Sequence, residues 1–450
     1  MPVASRYNLL LPLHGEQQTL VFNTLRGSAV VVQPQDADRL GVYARPGSGS
    51  QPVWRSYGSH SPEVDQAAPT DSPGCWDTLL QLGILVETAD AEERTLAAFL
   101  DDYWHPRTLK LTMAYTAACQ MACGYCFQSG RNLKARHSPA LFQGTLDFIE
   151  QQVKCHPELE GIHLGLFGGE PLTDVAMATS YIDQLQILSQ KHNLSLDISL
   201  TTNGLNLHPD LILDWLPKGL KYVRVTLDGP AKIHDQRRPT HGNQPTFHRI
   251  LSNLRRISNI AGFGLGVSIN LDQGNEGAIG DLLDILVEAG LRTQIEILLE
   301  ATLPTYKLGT LEDHRSQGLR MSTALDQVML RGFRTPLYPG LCTPCNFVQS
   351  NNFVIDWSGN LFRCTFTMLD PQAVVGSVGE GARGVNQALL QSVRQAVGHC
   401  RAMQCAYLPL CGGGCRYEAD LRTGNWSGHN CPLEYWDEVL PRSIPYTLGI

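Results

Sequence analysis

Three cysteines crowd into eight residues at Cys119-Gln-Met-Ala-Cys123-Gly-Tyr-Cys126, a C-x3-C-x2-C spacing. Soft thiolates grouped so closely converge on a metal centre. Structural zinc normally takes four ligands, and the next cysteine, Cys155, closes a predicted helix. Three thiolates without a fourth suit an iron–sulfur cluster whose remaining iron is open to a small molecule. A second group fills the last quarter of the chain: Cys342-x2-Cys345, Cys364, Cys400-x4-Cys405-x5-Cys411-x3-Cys415 and Cys431. Together the two groups leave only Cys75 and Cys155 of the 13 cysteines unassigned. The eight C-terminal ones match the need of two fully ligated cubane clusters, while a pair of structural zinc sites uses the same thiolates. His105, His163, His192 and His241 have no partner at metal spacing and read as structural.

These thiols need a scaffold, and the periodicity supplies one. From Thr108 onward strands alternate with helices. Strands are predicted at Leu109–Tyr115, Gly161–Phe167, Leu196–Thr201, Lys221–Leu227, Phe263–Asn270 and Arg292–Leu299. Helices fall at Pro139–Lys154, Asp174–Lys191, Pro209–Leu216, Thr246–Ile257 and Ala278–Ala289. Six such units make an α/β fold, a parallel sheet closed into a partial barrel, with ligands beyond the carboxyl ends of the strands. The first cysteine group sits at such an end. Residues 1–105 read as a small α+β domain with short strands at Thr19–Asn23 and Gly27–Val32, a loop dense in Gly, Ser, Pro and Asp from Arg45 to Gly74, and a helix from Ala89. The expected boundaries are 1–105, a barrel at 106–310, a helical linker at 311–341 and a cysteine-rich region at 342–450.

The composition limits the partners. With 450 residues, 43% hydrophobic, and a net charge of −8, the chain is globular and lacks the basic footprint of a nucleic-acid binder. Its apolar runs, Leu9–Leu11 and Val30–Val32, are too short for a signal core or a spanning helix, so a cytoplasmic protein without membrane attachment is expected.

The loop Cys119–Cys126, with the aromatic Tyr125 before its last cysteine, resembles that of the radical S-adenosylmethionine (SAM) superfamily. There an open iron chelates SAM, and an electron cleaves its sulfonium to a 5′-deoxyadenosyl radical that abstracts a hydrogen atom. Gly168-Gly169-Glu170-Pro171 is similar to the family's glycine-rich motif, whose backbone and carboxylate receive the SAM ammonium. The resemblance makes the strand ends Thr202-Asn203-Gly204 and Asp228-Gly229-Pro230 line the cofactor. It gives Thr226 a place beside the ribose or carboxylate, and Arg238 a pairing with the carboxylate, with Arg237 an adjacent competitor. Leu299 falls where the family packs an apolar residue near adenine, and core packing explains it equally well.

The C-terminal region resembles the SPASM extension of radical SAM peptide maturases, which carries two auxiliary 4Fe–4S clusters. Family topology assigns Cys342, Cys345, Cys364 and Cys415 to one and Cys400, Cys405, Cys411 and Cys431 to the other. Ala402 stands where the family's C-x2-C pair expects its second cysteine. The resemblance implies three 4Fe–4S clusters, SAM, a precursor peptide or protein substrate, and an electron donor such as flavodoxin or ferredoxin. Leu20-Val-Phe-Asn-Thr-Leu-Arg-Gly and Leu82-Gly-Ile-Leu-Val-Glu resemble small peptide-recognition domains fused to such maturases; a structural cap is the competing reading. Within radical chemistry the runner-up is a formylglycine-forming sulfatase maturase, which typically has Asp where this chain has Thr365. A non-catalytic, zinc-stapled binding protein is the alternative from another class.

Overall fold

The computed structural model describes residues 2–13, 18–33, 37, 40, 75–304, 311–336, 345–380 and 387–450. The stretch Arg45–Gly74 and Cys342 lie outside the described residues. The chain divides into two compact units: 1–105 with 342–345 and 391–450, and 106–341 with 346–390.

The N-terminal segment holds β1 (Val3–Ala4), β2 (Asn8–Pro12), β3 (Thr19–Asn23), β4 (Ala29–Val32), α1 (Cys75–Gln81), β5 (Leu85–Val86) and α2 (Ala89–Trp104). All five residues of β3 are buried. It accordingly takes the centre of an antiparallel sheet of order β2-β3-β4, while β1 pairs with β5.

The second unit carries the alternation expected from the sequence: β6 (Thr108–Met113), α3 (Pro139–Cys155), β7 (Gly161–Leu166), α4 (Val175–His192), β8 (Ser195–Thr202), α5 (Pro209–Trp215), β9 (Leu220–Thr226), α6 (Ala231–Arg237), α7 (Phe247–Ile257), β10 (Gly264–Leu271), α8 (Ile279–Glu288), β11 (Glu296–Ala301) and α9 (His314–Leu330). Ser138, Asp174 and Asp313 cap α3, α4 and α9, each side chain accepting an N–H of the first turn. Strands β6 to β11 run parallel and in sequential order. The sheet continues past β6 into β12 (Asn352–Ile355), also parallel, then antiparallel β13 (Asn360–Phe362) and β14 (Gly376–Ser377). The α/β partial barrel is as expected, and those three added strands are not legible in the periodicity. The pattern places the last barrel strand at Arg292–Leu299. It is Glu296–Ala301 instead, because backbone bonds from Gln294 and Ile295 to Leu291 close a turn first.

Register gives the barrel two faces. Leu111, Leu164, Ile198, Val223, Val225, Val267, Ile269, Ile297 and Leu299 share the fully buried face. Lys110, His163, Ser199, Arg224, Asn270 and Glu300 share the half-buried polar one, with Asp197 exposed at its rim, and this face is the barrel lumen.

The C-terminal segment adds α10 (Gln387–Ala402), α11 (Leu408–Cys411), α12 (Arg416–Thr423) and α13 (Leu433–Leu448). Its core is shared with the N-terminal segment: Tyr7, Leu25, Leu96 and Leu100 pack with Val397 and Leu408, and Phe99, Trp104, Cys400 and Cys405 lie against that cluster. The Thr24 hydroxyl donates to the Ala406 carbonyl (2.8 Å), and Arg401 pairs with Glu93. The division cuts across the four segments read from the sequence, since the first and last close one core and 346–390 extends the barrel sheet. Among the described residues no helix is long and apolar enough to cross a membrane.

Candidate functional site

The cysteine loop follows β6 and is laced to its neighbours on both sides. The N–H of Gly169 donates to Thr116 O (2.9 Å) and that of Glu170 to Ala118 O (2.7 Å). On the other side Ala122 and Gly124 donate to Pro239 O (2.8 Å) and Arg237 O (3.1 Å). Only glycine fits at 169: a Cβ there would stand 2.3 Å from Ala118 O and 2.4 Å from Ala117 O, so the two loops touch backbone to backbone.

Donors turn toward the sulfurs. Met121 N–H lies 3.4 Å and Asn203 Nδ2 3.8 Å from Cys119 Sγ, while Arg131 Nη1 lies 3.6 Å from Cys126 Sγ. Burial pushes the Cys119 thiol up to about 11 and raises that of Cys123, so metal binding must displace protons here.

Behind the loop stands a network that the sequence pattern reveals only in part. The Tyr125 hydroxyl donates to Asp228 Oδ2 and accepts from Arg238 Nη1 (2.5 Å) and Asn270 Nδ2 (3.1 Å). Arg237 is spent elsewhere, on Asp272 (2.7 Å) and the Asn270 carbonyl (2.9 Å), with its guanidinium 4.9 Å over the Tyr125 ring. Arg238 differs: it is buried, and its Nε has no hydrogen-bond partner among the described residues. Burial alone lowers the Arg238 pKa, but Cys123, Tyr125 and Asp228 outweigh it and keep the group charged. His234 accepts the Asp228 N–H at Nδ1 (3.3 Å), and its Nε2 donates to Thr246 (3.1 Å), whose own hydroxyl donates to the Arg238 carbonyl (2.8 Å). Burial first, then Arg238 and Arg237, hold that imidazole neutral with a pKa lowered to about 2.

Residues 113–271 match the radical SAM superfamily. The chain carries a radical SAM domain. A solved structure of anSMEcpe with bound AdoMet has a TM-score of 0.55 and 17% identity, covering 75% of this chain and 98% of that one. Streptococcus suis SuiB bound to precursor peptide SuiA has a TM-score of 0.51 and 14% identity, covering 96% of this chain and 99% of SuiB. GTP 3′,8-cyclase of Vibrio vulnificus strain YJ016 is 23% identical over 167 residues, 37% of this chain. The match spans 46% of that relative, about half its length.

A radical SAM domain implies a 4Fe–4S cluster and SAM, and the residues present fit them. Two of the three thiols, Cys119 and Cys126, carry N–H donors that suit a charged sulfur cluster, and the unpaired Nε of the buried Arg238 guanidinium suits a carboxylate. Of the remaining candidates, Thr202, Asn203 and Thr226 lie at the ends of β8 and β9 as expected.

Two of the candidates, Glu170 and Leu299, have surroundings that the sequence does not announce. The Glu170 carboxylate is turned into the protein, accepting from Leu172 N (2.9 Å), Thr202 Oγ1 (2.7 Å) and Asn203 N (2.6 Å). With about four acceptor positions in all, it clamps the β7 loop to β8 and keeps at most one for an ammonium group. Leu299 shares the fully buried face with Val267 and Ile269, whereas its neighbour Leu298 shares the lumen face with Thr226 and Ser268. The period of two thus removes Leu299 from the side where a cofactor would lie.

Among the C-terminal cysteines, Cys411 is buried and its thiol is raised by burial first, then by Cys405, Cys400 and Cys431. Those four are therefore neighbours, although among the described residues no three Cys, His, Asp or Glu close on a single-ion site. Cys415 leads into α12, where Arg416 wraps the carbonyls of Gly413, Gly414 (3.2 Å), Trp426 (3.3 Å) and Gly428 (3.1 Å). Cys345 and Cys415 belong to the first unit and Cys364 to the second.

Proposed function

We propose that this radical SAM enzyme is a peptide maturase that abstracts a hydrogen atom from a residue of a precursor peptide and forms a cross-link or another side-chain or backbone modification. The observation that carries the radical chemistry is the three-thiol loop standing beside the buried Arg238 guanidinium, whose Nε is unpaired. When bound, the cluster and SAM supply a one-electron sulfonium cleavage that yields the abstracting 5′-deoxyadenosyl radical. Cys119, Cys123 and Cys126 hold the cluster, Arg238 pairs with the SAM carboxylate, and Thr226 and Asn203 line the remaining wall. Tyr125 and Glu170 brace the loops that carry these groups.

Cys400, Cys405, Cys411 and Cys431 form one auxiliary 4Fe–4S site, and Cys342, Cys345, Cys364 and Cys415 the other. The mutual proximity of the first four supports this. A flavodoxin or ferredoxin delivers the electron. Peptide recognition falls to the β2-β3-β4 sheet, whose edge strands offer main-chain hydrogen bonds to an added strand. The likeness to SuiB over 96% of this chain supports a peptide substrate. Sulfatase maturation is the second reading, weakened by Thr365 at the position where that resemblance expects Asp.

The anaerobically reconstituted protein, given a reductant, should release 5′-deoxyadenosine from SAM. Changing Cys119, Cys123 and Cys126 together to Ala should abolish release and leave about eight iron atoms per chain. Turnover in that variant rejects the assignment of the site, and zinc in place of iron rejects the auxiliary clusters. Mass spectrometry of a short peptide co-expressed from an adjacent reading frame tests the substrate class.

A further inference from the structure

The stretch that contains the cysteine loop and runs on to α3 carries cations and no carboxylate. From Cys119 to Leu146 the chain has Arg131, Lys134 and Arg136 and neither Asp nor Glu. Lys134 and Arg136 are exposed, where water solvates their charge. Arg131 is half-buried and fixed. Its Nε donates to the Ala117 carbonyl (2.8 Å) and its Nη1 to the Gln128 carbonyl (2.9 Å), so one guanidinium is tied to the chain on both sides of the three cysteines. The same Nη1 stands 3.6 Å from Cys126 Sγ.

The other two guanidiniums of the site have carboxylates to answer them. Arg237 pairs with Asp272 and Asp228, and Arg238 reaches Asp228 through the Tyr125 hydroxyl. No carboxylate among the described residues pairs with Arg131, whose side chain meets two carbonyls and a sulfur. Carbonyl oxygens satisfy its N–H groups and leave its charge unbalanced, and a charge drawn out of water is unfavourable unless an opposite one accompanies it. The thiolates beside it can supply that counter-charge. A cubane held by three of them is anionic, and reduction adds one more negative charge.

A cation fixed against such a group stabilises its reduced form more than its oxidised form and so raises its potential; hydrogen bonds to the sulfurs and local charge are the levers by which a protein sets that potential. Arginine keeps its charge throughout, so the effect needs no proton transfer. We propose that Arg131 sets the reduction potential of the radical-site cluster, its guanidinium favouring the reduced state through Cys126 Sγ so that a low-potential one-electron donor can populate it. One electron passes from that donor to the cluster, and no bond forms or breaks in this step. This role rests on Cys119, Cys123 and Cys126 as the cluster ligands and goes beyond it by naming the residue that poises the cluster. Bracing the loop is the competing role, since the same side chain links Ala117 to Gln128.

The test is an anaerobic redox titration of the full-length reconstituted protein without SAM, followed by electron paramagnetic resonance of the reduced iron. Subtracting the same titration of the variant with Cys119, Cys123 and Cys126 changed to Ala removes the C-terminal signals and leaves that of the loop. Arg131→Gln keeps an N–H donor and removes the charge, whereas Arg131→Lys keeps the charge and loses the fork. With iron content unchanged, the Gln variant should lower the reduction constant of the loop cluster about tenfold, about 59 mV for a one-electron couple. The Lys variant should lower it by less than about threefold. A Gln midpoint equal to that of the wild type overturns the proposal, as does a Lys shift as large as the Gln shift, which removes charge as the lever. Loss of the loop iron in either variant makes Arg131 a brace and overturns it as well. A wild-type titration indistinguishable from that of the triple cysteine variant rejects the cluster ligands themselves, a failure separate from the others.

Discussion

Arg238 and Arg237 are adjacent in sequence and opposite in employment. Arg237 satisfies Asp272, Asn270 and the Tyr125 ring, while Arg238 keeps a buried edge unpaired. Replacing Arg238 with Met should weaken SAM binding about 10- to 100-fold, the loss of a charge-assisted hydrogen bond, with the cluster absorbance retained; equilibrium dialysis of SAM measures it. The same change at Arg237 should act chiefly on stability. His234 supplies a pH test. Its pKa is lowered from 6.5 to about 2 by burial and the two arginines, so below pH 6.5 the unfolded chain takes up a proton that the folded one refuses. Stability then falls as pH falls through that window. Urea midpoints should drop on acidification, and His234→Gln should flatten the slope.

At the scale of elements, the loop after β6 and the loop after β7 behave as one piece, because Gly169 lets their backbones meet. Gly169→Ala forces them apart, with an overpacking penalty of about 1–3 kcal/mol, and should empty the radical site of iron while the C-terminal iron stays. Iron content compared with the triple cysteine variant checks this. Most of that arrangement is legible in the sequence: the spacing of Cys119, Cys123 and Cys126 and the glycines at 168 and 169 declare the loops, and alternating periodicity declares β6 to β11. What is not legible has physical reasons. Leu298 and Leu299 are the same residue type, and only the register of β11 against β10 decides which faces the lumen. Two of the three partners of Glu170, Thr202 and Asn203 at the end of β8, lie more than 30 positions away, so no local pattern distinguishes a clamp from a ligand. Strands β12 to β14 run only two to four residues each, too short for periodicity to register.

For the molecule as a whole, the N-terminal segment is more than a detachable recognition module. Leu96 and Leu100 of α2, with Tyr7 and Leu25, form the apolar wall against which Cys400 and Cys405 lie. Deleting residues 1–105 should therefore strip the iron proposed at Cys400, Cys405, Cys411 and Cys431, about four atoms per chain, and expose the wall's other half on α10 and α11. Iron counting on the truncated protein decides it; a truncation that keeps all its iron would restore the view of an independent domain. Milder variants should grade the effect, with Leu100→Ala costing about 2–5 kcal/mol in that core.

That shared core also orders events during synthesis. Residue 105 leaves the ribosome some 286 positions before residue 391, where its partner segment begins. At about 5–20 residues per second the wait is roughly 15–60 s, and through it the apolar faces of Leu96 and Leu100 have no native partner. The barrel unit, contiguous but for four residues between 106 and 390, can collapse meanwhile. The earlier-made half of this core is thus among the last parts to finish folding, which makes it a client for chaperones during synthesis and sets the loading of the cluster proposed there late in maturation.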